Sequence, residues 1–98
     1  MLAYRVVIEE NGLSDIQNAI DYYDLQQTGL GNRFFNVLQK HIELISKNPF
    51  FKEIYKDYRG LPVKTFPYVI IYFILEEAKT VYISAVFHTS QNPEKMPE

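Results

Sequence analysis

Two apolar runs with a short polar turn of four residues between them constrain this chain more than any other feature. Tyr68 to Leu75 and Thr80 to Phe87 flank Glu76-Glu77-Ala78-Lys79. Nearly every residue of the first run is β-branched, aromatic or leucine, side chains that suit a pleated and half-buried surface. The two runs are therefore expected as strands joined in a hairpin. Ala3 to Ile8 reads as a further strand, with Tyr4, Val6 and Ile8 on one side and Arg5 on the other.

Between them the period changes to that of a helix. Ser14-Asp15-Ile16-Gln17 has the spacing of a capping box and predicts a helix starting at or slightly before it. Leu13, Ile16, Ile20 and Tyr23 give that helix one apolar face. Thr28 to Asn32, with two glycines, breaks it. A second helix is expected from about Gly31 to Lys47, with a stripe of Phe34, Val37, Leu38, His41, Leu44 and Ile45, and Asn48-Pro49 stops it. So short a connection favours an antiparallel helix pair. Ile54 to Tyr58 and Leu61 to Lys64 are expected to be extended. The order β-α-α-β-β-β predicts an α+β fold, an antiparallel-dominated sheet with an α-helical hairpin packed on one face.

Ninety-eight residues are expected to form a single domain, 1–98, whose core can bury roughly 65% of the unfolded surface. There is no cysteine, which excludes disulfides, thiolate metal sites and a thiol nucleophile. Tyr68 to Leu75 is far too short to span a bilayer, and the first residues lack the pattern of a signal peptide. The expected address is the cytoplasm. The net charge of -2 offers no basic field for nucleic acid. Residues 49–75 are locally different, with Lys52, Lys56, Arg59 and Lys64 against Glu53 and Asp57.

Strand parity carries the sequence towards function. Tyr68, Ile70, Tyr72 and Ile74 share one face of their strand, and Val69, Ile71, Phe73 and Leu75 the other. In the next strand, Val81, Ile83, Ala85 and Phe87 oppose Tyr82, Ser84, Val86 and His88. If the wholly apolar sets lie under the helices, Tyr68, Tyr72, Tyr82 and His88 form an open aromatic surface fit for binding. The plainer readings carry weight. Phe66-Pro67-Tyr68 also describes an ordinary strand start. A histidine at a strand end is more often a hydrogen-bonding residue than a catalyst, and His41 reads as structural. Tyrosines serve cores and protein interfaces as well as base stacking. No phosphate loop, nucleophile elbow or metal-ligand cluster is present, so neither a cofactor nor a metal is expected.

Taken together, the chain resembles the RelE/ParE superfamily of bacterial toxins from type II toxin–antitoxin modules, often called plasmid stabilisation proteins. The resemblance rests on Tyr4-x-Val6-x-Ile8, on Asp15-Ile16 with Ala19-Ile20-x-Tyr22-Tyr23, and on Gly29-Leu30-Gly31-x-Arg33-Phe34. It continues through Ile45-x-x-Asn48-Pro49, through Arg59-x-x-x-Val63-x-x-Phe66-Pro67-Tyr68-x-Ile70-x-Tyr72, and through His88-x-x-x-Asn92-Pro93. It implies the fold inferred above and a toxin silenced by a cognate antitoxin, as a homodimer or a toxin–antitoxin hetero-oligomer. ParE-like members poison DNA gyrase and are not enzymes. RelE-like members are metal-independent endoribonucleases that cut mRNA on the ribosome. On the nuclease branch, Arg59 would hold the scissile phosphate, His88 would act as general acid or base, and Lys56 or Lys64 would stabilise developing charge. Many members carry an arginine and a tryptophan in the tail where this chain has Gln91 and Met96. These departures weaken a phosphate-binding role and favour the non-toxic reading that follows, whereas the Phe66-Pro67-Tyr68-x-Ile70-x-Tyr72 segment leans towards the ParE-like side. The other reading is a non-toxic binding module that retains antitoxin binding or a regulatory role.

Overall fold

The structure, a computed structural model, describes residues 3–90. Gln91, Asn92, Pro93 and Met96 of the tail motif lie outside them. The elements run β1 (Arg5–Ile8), α1 (Glu10–Gln26), α2 (Leu30–Lys47), β2 (Glu53–Tyr55), β3 (Tyr58–Pro62), β4 (Tyr68–Leu75), a 3-10 turn (Glu76–Ala78) and β5 (Thr80–His88). The strands form one sheet in the order β1-β5-β4-β3-β2. β1 runs parallel to β5 and every other pairing is antiparallel. The α+β expectation holds, with the parallel edge making the sheet mixed.

α1 begins earlier than the capping box suggests. The Glu9 backbone N–H donates to the Ile83 carbonyl at 2.9 Å, so the chain turns into helix as soon as it leaves the sheet. Ser14 consequently lies inside the helix, and Gln17 reaches Asp21 at 2.9 Å instead of capping. The buried face of α1 is Gly12, Ile16 and Ala19, and Leu13 is 55% exposed. On α2 the stripe is as expected except at Leu44, which faces solvent. Gly29 turns the chain between the helices in the left-handed region (φ 90°). Asp24 Oδ1 then accepts the Gly31 N–H at 2.8 Å, so the end of one helix supplies the cap of the next.

His41 has the structural role expected of it. Its Nδ1–H donates to the Val37 carbonyl (2.8 Å) and its Nε2 accepts the Lys64 N–H (3.1 Å), pinning α2 to the loop before β4. The region read as one extended piece from Ile54 to Tyr58 is a hairpin, β2–β3, turning at Lys56 with φ 50°. Leu61 to Lys64 is a strand only as far as Pro62.

The faces of the sheet overturn the parity expectation. Tyr68, Ile70, Tyr72 and Ile74 point towards the helices, where Ile70 and Tyr72 join Ile16, Phe34, Leu38 and Ile45 in the core. Val69, Ile71, Ala85 and Phe87 pack with Tyr58 as a second cluster on the outer face. Both sets of β4 are apolar enough to be buried, so composition alone cannot choose between them. The choice falls on the tyrosines because a buried phenol is tolerated once its hydroxyl has a partner. Tyr72, wholly buried, donates to the Pro49 carbonyl at 2.7 Å.

Parity in β5 fails for a second reason. Ile71 pairs with Ala85 while Tyr72 pairs with Ile83, leaving Ser84 as an extra residue. A bulge of this kind shifts the alternation by one. Val81 and Ile83 face the helices before it, and Val86 does so after it. Tyr82, Ala85 and Phe87 are therefore outer residues, with Tyr82 stacked on Phe73 at 5.2 Å.

Candidate functional site

Tyr72, Tyr82 and His88 do not share a face. Tyr72 is part of the core and cannot meet a partner. Tyr82 lies outside, and His88 lies on the helix side at the rim of the sheet, edge-on to Tyr68 with ring centroids 5.0 Å apart. The open platform expected from parity is absent.

Arg59 and His88 are also held apart. Arg59 pairs with Tyr72 and His88 with Tyr68, on opposite sides of β4. Four residues along a strand is about 13 Å, and two strand spacings add about 10 Å across. Arg59 is engaged within the fold. It donates to the Phe51 carbonyl (2.7 Å), meets Glu53 at 3.6 Å and lies over the Phe50 ring at 5.5 Å. Lys56 sits at the β2–β3 turn with its ammonium over Tyr55 (5.3 Å). Lys64 is exposed just past β3, where its backbone N–H is bound to His41. Among the described residues these four side chains are spread over β3, the β2–β3 turn, the loop after β3 and the end of β5.

A concave site does exist at the other end, where α1 crosses the end of β5. It measures about 450 Å³ and is lined by Asp15, Asn18, Tyr22, Tyr68, His88 and Ser90. The geometry follows from the short β1. Beyond Ile83, β5 has no strand on that side among the described residues, and carboxylates from the start of α1 take its donors. Ser84 Oγ donates to Glu9 Oε1 (2.9 Å) and the Val86 N–H donates to Asp15 Oδ2 (3.0 Å). Burial pushes the Asp15 carboxyl above its usual range, with the Val86 bond pulling the other way. Burial first, then the nearby Tyr23, Tyr22 and Asp15, pushes the Tyr68 phenol up. His88 Nδ1 accepts the Ser90 N–H at 3.1 Å and lies 2.7 Å from Ser90 Oγ.

Sequence reasoning placed Tyr68 and His88 at a functional surface but did not single out Asp15, Asn18 and Tyr22 as its other half. The signal was available: positions 15, 18 and 22 are three and four apart, hence on one helical face. Among the described residues no group of side chains is suited to hold a metal ion, and no helix is long and apolar enough to cross a membrane.

A helical hairpin packed on one face of a five-stranded sheet defines the class, and comparison with known proteins gives the family. The family model described as "ParE toxin of type II toxin-antitoxin system, parDE" matches residues 6–93, and the chain belongs to that family. No curated protein sequence matches it. Among solved structures it is similar to a chain of the chromosomal ParDE system of P. aeruginosa. The TM-score is 0.79 at 9% identity, covering 90% of this chain and 98% of that one. It is also similar to the isolated E. coli RelE toxin, with TM-score 0.68, 16% identity, and 94% and 90% coverage. The intact E. coli RelBE toxin–antitoxin complex gives TM-score 0.68 at 16% identity, with 91% and 100% coverage. At these identities the likeness is one of fold.

Proposed function

We propose that this protein is the toxin of a type II pair, held silent by a cognate antitoxin, and that it acts in the cytoplasm by binding DNA gyrase and not by cutting mRNA. The observation that carries this reading is the separation of Arg59 from His88. Acid–base cleavage of RNA needs its proton-transfer group and its phosphate-holding cation within hydrogen-bond reach of one scissile phosphate. Here the two flank β4 on opposite sides, Arg59 beside Tyr72 near its middle and His88 beside Tyr68 at its start, and Arg59 is already bonded to Phe51 and Glu53. Lys56 and Lys64 do not bridge that gap. Membership of the ParE family supports the same side, as does Gln91 in place of a tail arginine. Of Tyr68, Tyr72 and Tyr82, the partly exposed Tyr82, stacked on Phe73, is the one on the sheet face away from the helices and is the candidate of these three to meet the target there. The antitoxin complexes among the structural neighbours support a partner of that kind.

The test is expression of the protein alone in a bacterial host, with a supercoiling assay on purified gyrase and mapping of mRNA ends. Growth arrest, inhibited gyrase and intact mRNA are expected. Ribosome-dependent cleavage abolished by His88→Ala would replace this reading with the nuclease one. Normal growth in a host with a susceptible target would leave the non-toxic binding module.

A further inference from the structure

The α1–β5 cleft has a chemical character that the proposed activity does not use. Between Arg5 and Arg33 the chain carries Glu9, Glu10, Asp15, Asp21 and Asp24 and no lysine or arginine. The helix over the cleft therefore carries charge of one sign in a chain whose net charge is only -2, with Asp15 as its carboxylate on the cleft side, Asp24 turned to the Gly31 N–H and Glu9 to Ser84. Inside the cleft, Asp15 offers a carboxylate with a single hydrogen bond, to Oδ2. Among the described residues its Oδ1 has no hydrogen-bond partner. The ion pairs among those residues are Arg59–Glu53 and Lys79–Glu76, so Asp15 meets no cation there. The flanking walls are aromatic, with Tyr68 half-buried and Tyr22 54% exposed.

A half-desolvated carboxylate between phenol rings, beneath an acidic helix, is complementary to one kind of group: a planar cation. A guanidinium satisfies the carboxylate by directed N–H bonds and presents its faces to the rings. It is also less strongly hydrated than an ammonium, so entering a cleft of this size costs it less.

We infer that the cleft lined by Asp15, Tyr22 and Tyr68 receives an arginine side chain of the antitoxin. The inference rests on the reading of this chain as a toxin with such a partner. Asp15 takes the guanidinium through its unpaired oxygen, the Val86 N–H keeps the carboxylate in place, and the net negative charge of α1 steers the basic segment in. The same carboxylate thus closes the open edge of β5 and presents the charge that a partner reads.

Two variants isolate the idea. Asp15→Asn retains an acceptor for the Val86 N–H while removing the charge and turning the second oxygen into an NH2 donor. Tyr22→Ala removes one wall at an exposed position. The chain alone, isotope-labelled, is titrated with Nα-acetyl-arginine amide and with its neutral citrulline counterpart while amide shifts are followed by NMR. Saturable shifts at Val86, Tyr68 and His88 are expected for the arginine compound, weakened about fivefold or more in either variant and absent for citrulline. With the cognate antitoxin, Asp15→Asn is expected to weaken binding about tenfold at low salt, and by less as ionic strength rises. Equal binding of the two amides, or unchanged binding in Asp15→Asn, would overturn the cleft. An unchanged antitoxin affinity in that variant would overturn the arginine contact. The amide titration needs no antitoxin, so its failure is distinct from failure of the toxin reading.

Discussion

The phenol of Tyr72 donates to the carbonyl of Pro49 across 23 residues of sequence, at 2.7 Å and fully out of solvent. This bond ties the exit of α2 to the middle of the sheet on the inner face of β4. Burial pushes the phenol above its ordinary range, so it remains a neutral donor.

Tyr72→Phe leaves the Pro49 carbonyl without that donor while keeping the ring. A loss of about 1–2 kcal/mol is expected. For a domain of this size that lowers the melting temperature by roughly 5–15 °C. Calorimetry of the two proteins checks it, and an unchanged melting point would mean the bond contributes nothing net.

Gly31→Ala addresses the helix pair. A Cβ at this position would press on the backbone oxygen of Ile20 and come within 2.8 Å of Asp24 Oδ1. Backbone cannot yield as a flexible side chain does, so α2 must move away from α1. A cost of about 1–3 kcal/mol is expected from the overpacking. Denaturant unfolding reads the value. The neighbouring Gly29, with open space around it, is costly to replace only through its positive φ.

Asp15→Asn gives a pH dependence of known sign. The folded carboxyl titrates above its unfolded value because burial disfavours the charge. Its contribution to stability is therefore fully present below the unfolded pKa and is lost as pH rises through the folded one. At neutral pH the asparagine variant should be as stable as the natural protein or more so. That advantage should shrink as acid protonates Asp15. Thermal melts of both proteins from pH 3 to 7 test it, and a gap independent of pH would remove the desolvation account.

Arg59→Ala separates a structural arginine from a catalytic one. The side chain loses its bond to Phe51 and its place over Phe50, and a destabilisation of about 1–2 kcal/mol is expected. The Glu53 pair at 3.6 Å adds little, since Glu53 is largely exposed. Growth arrest at a permissive temperature should survive the substitution. Its abolition in a protein that still melts cooperatively would return Arg59 to the chemistry.

Much of the architecture could be read from residue pattern alone. The β4 strand is Tyr68–Leu75 as expected, and β5 extends the expected strand by His88. α2 and its stop at Asn48-Pro49 are where periodicity puts them, and α1 is present but starts already at Glu10. What failed has particular causes. Lys56 takes a left-handed turn without the glycine or asparagine that marks such hairpins, so β2–β3 was invisible. Ser14 and Gln17 have the right spacing for a cap, but a hydrogen bond from Glu9 to β5 starts the helix first. The bulge at Ser84 has no sequence mark, and it moved Val86 inside and Ala85 outside. The cleft was half legible, because His88 and Tyr68 stand in strands while Asp15 and Tyr22 enter it from a helix that the strand pattern cannot reach.

The parallel pairing of β1 with β5 also has a consequence for how the molecule comes into being. Arg5 finds its neighbour at Thr80, 75 positions later, so the N-terminal strand has no sheet to join until β5 has been made. Contacts of such long range close slowly and late. A chain emerging from the ribosome can form its helical hairpin early, yet it gains a continuous sheet only after translation has passed residue 83. Any factor that captures the nascent polypeptide before that point meets a different surface from the finished one.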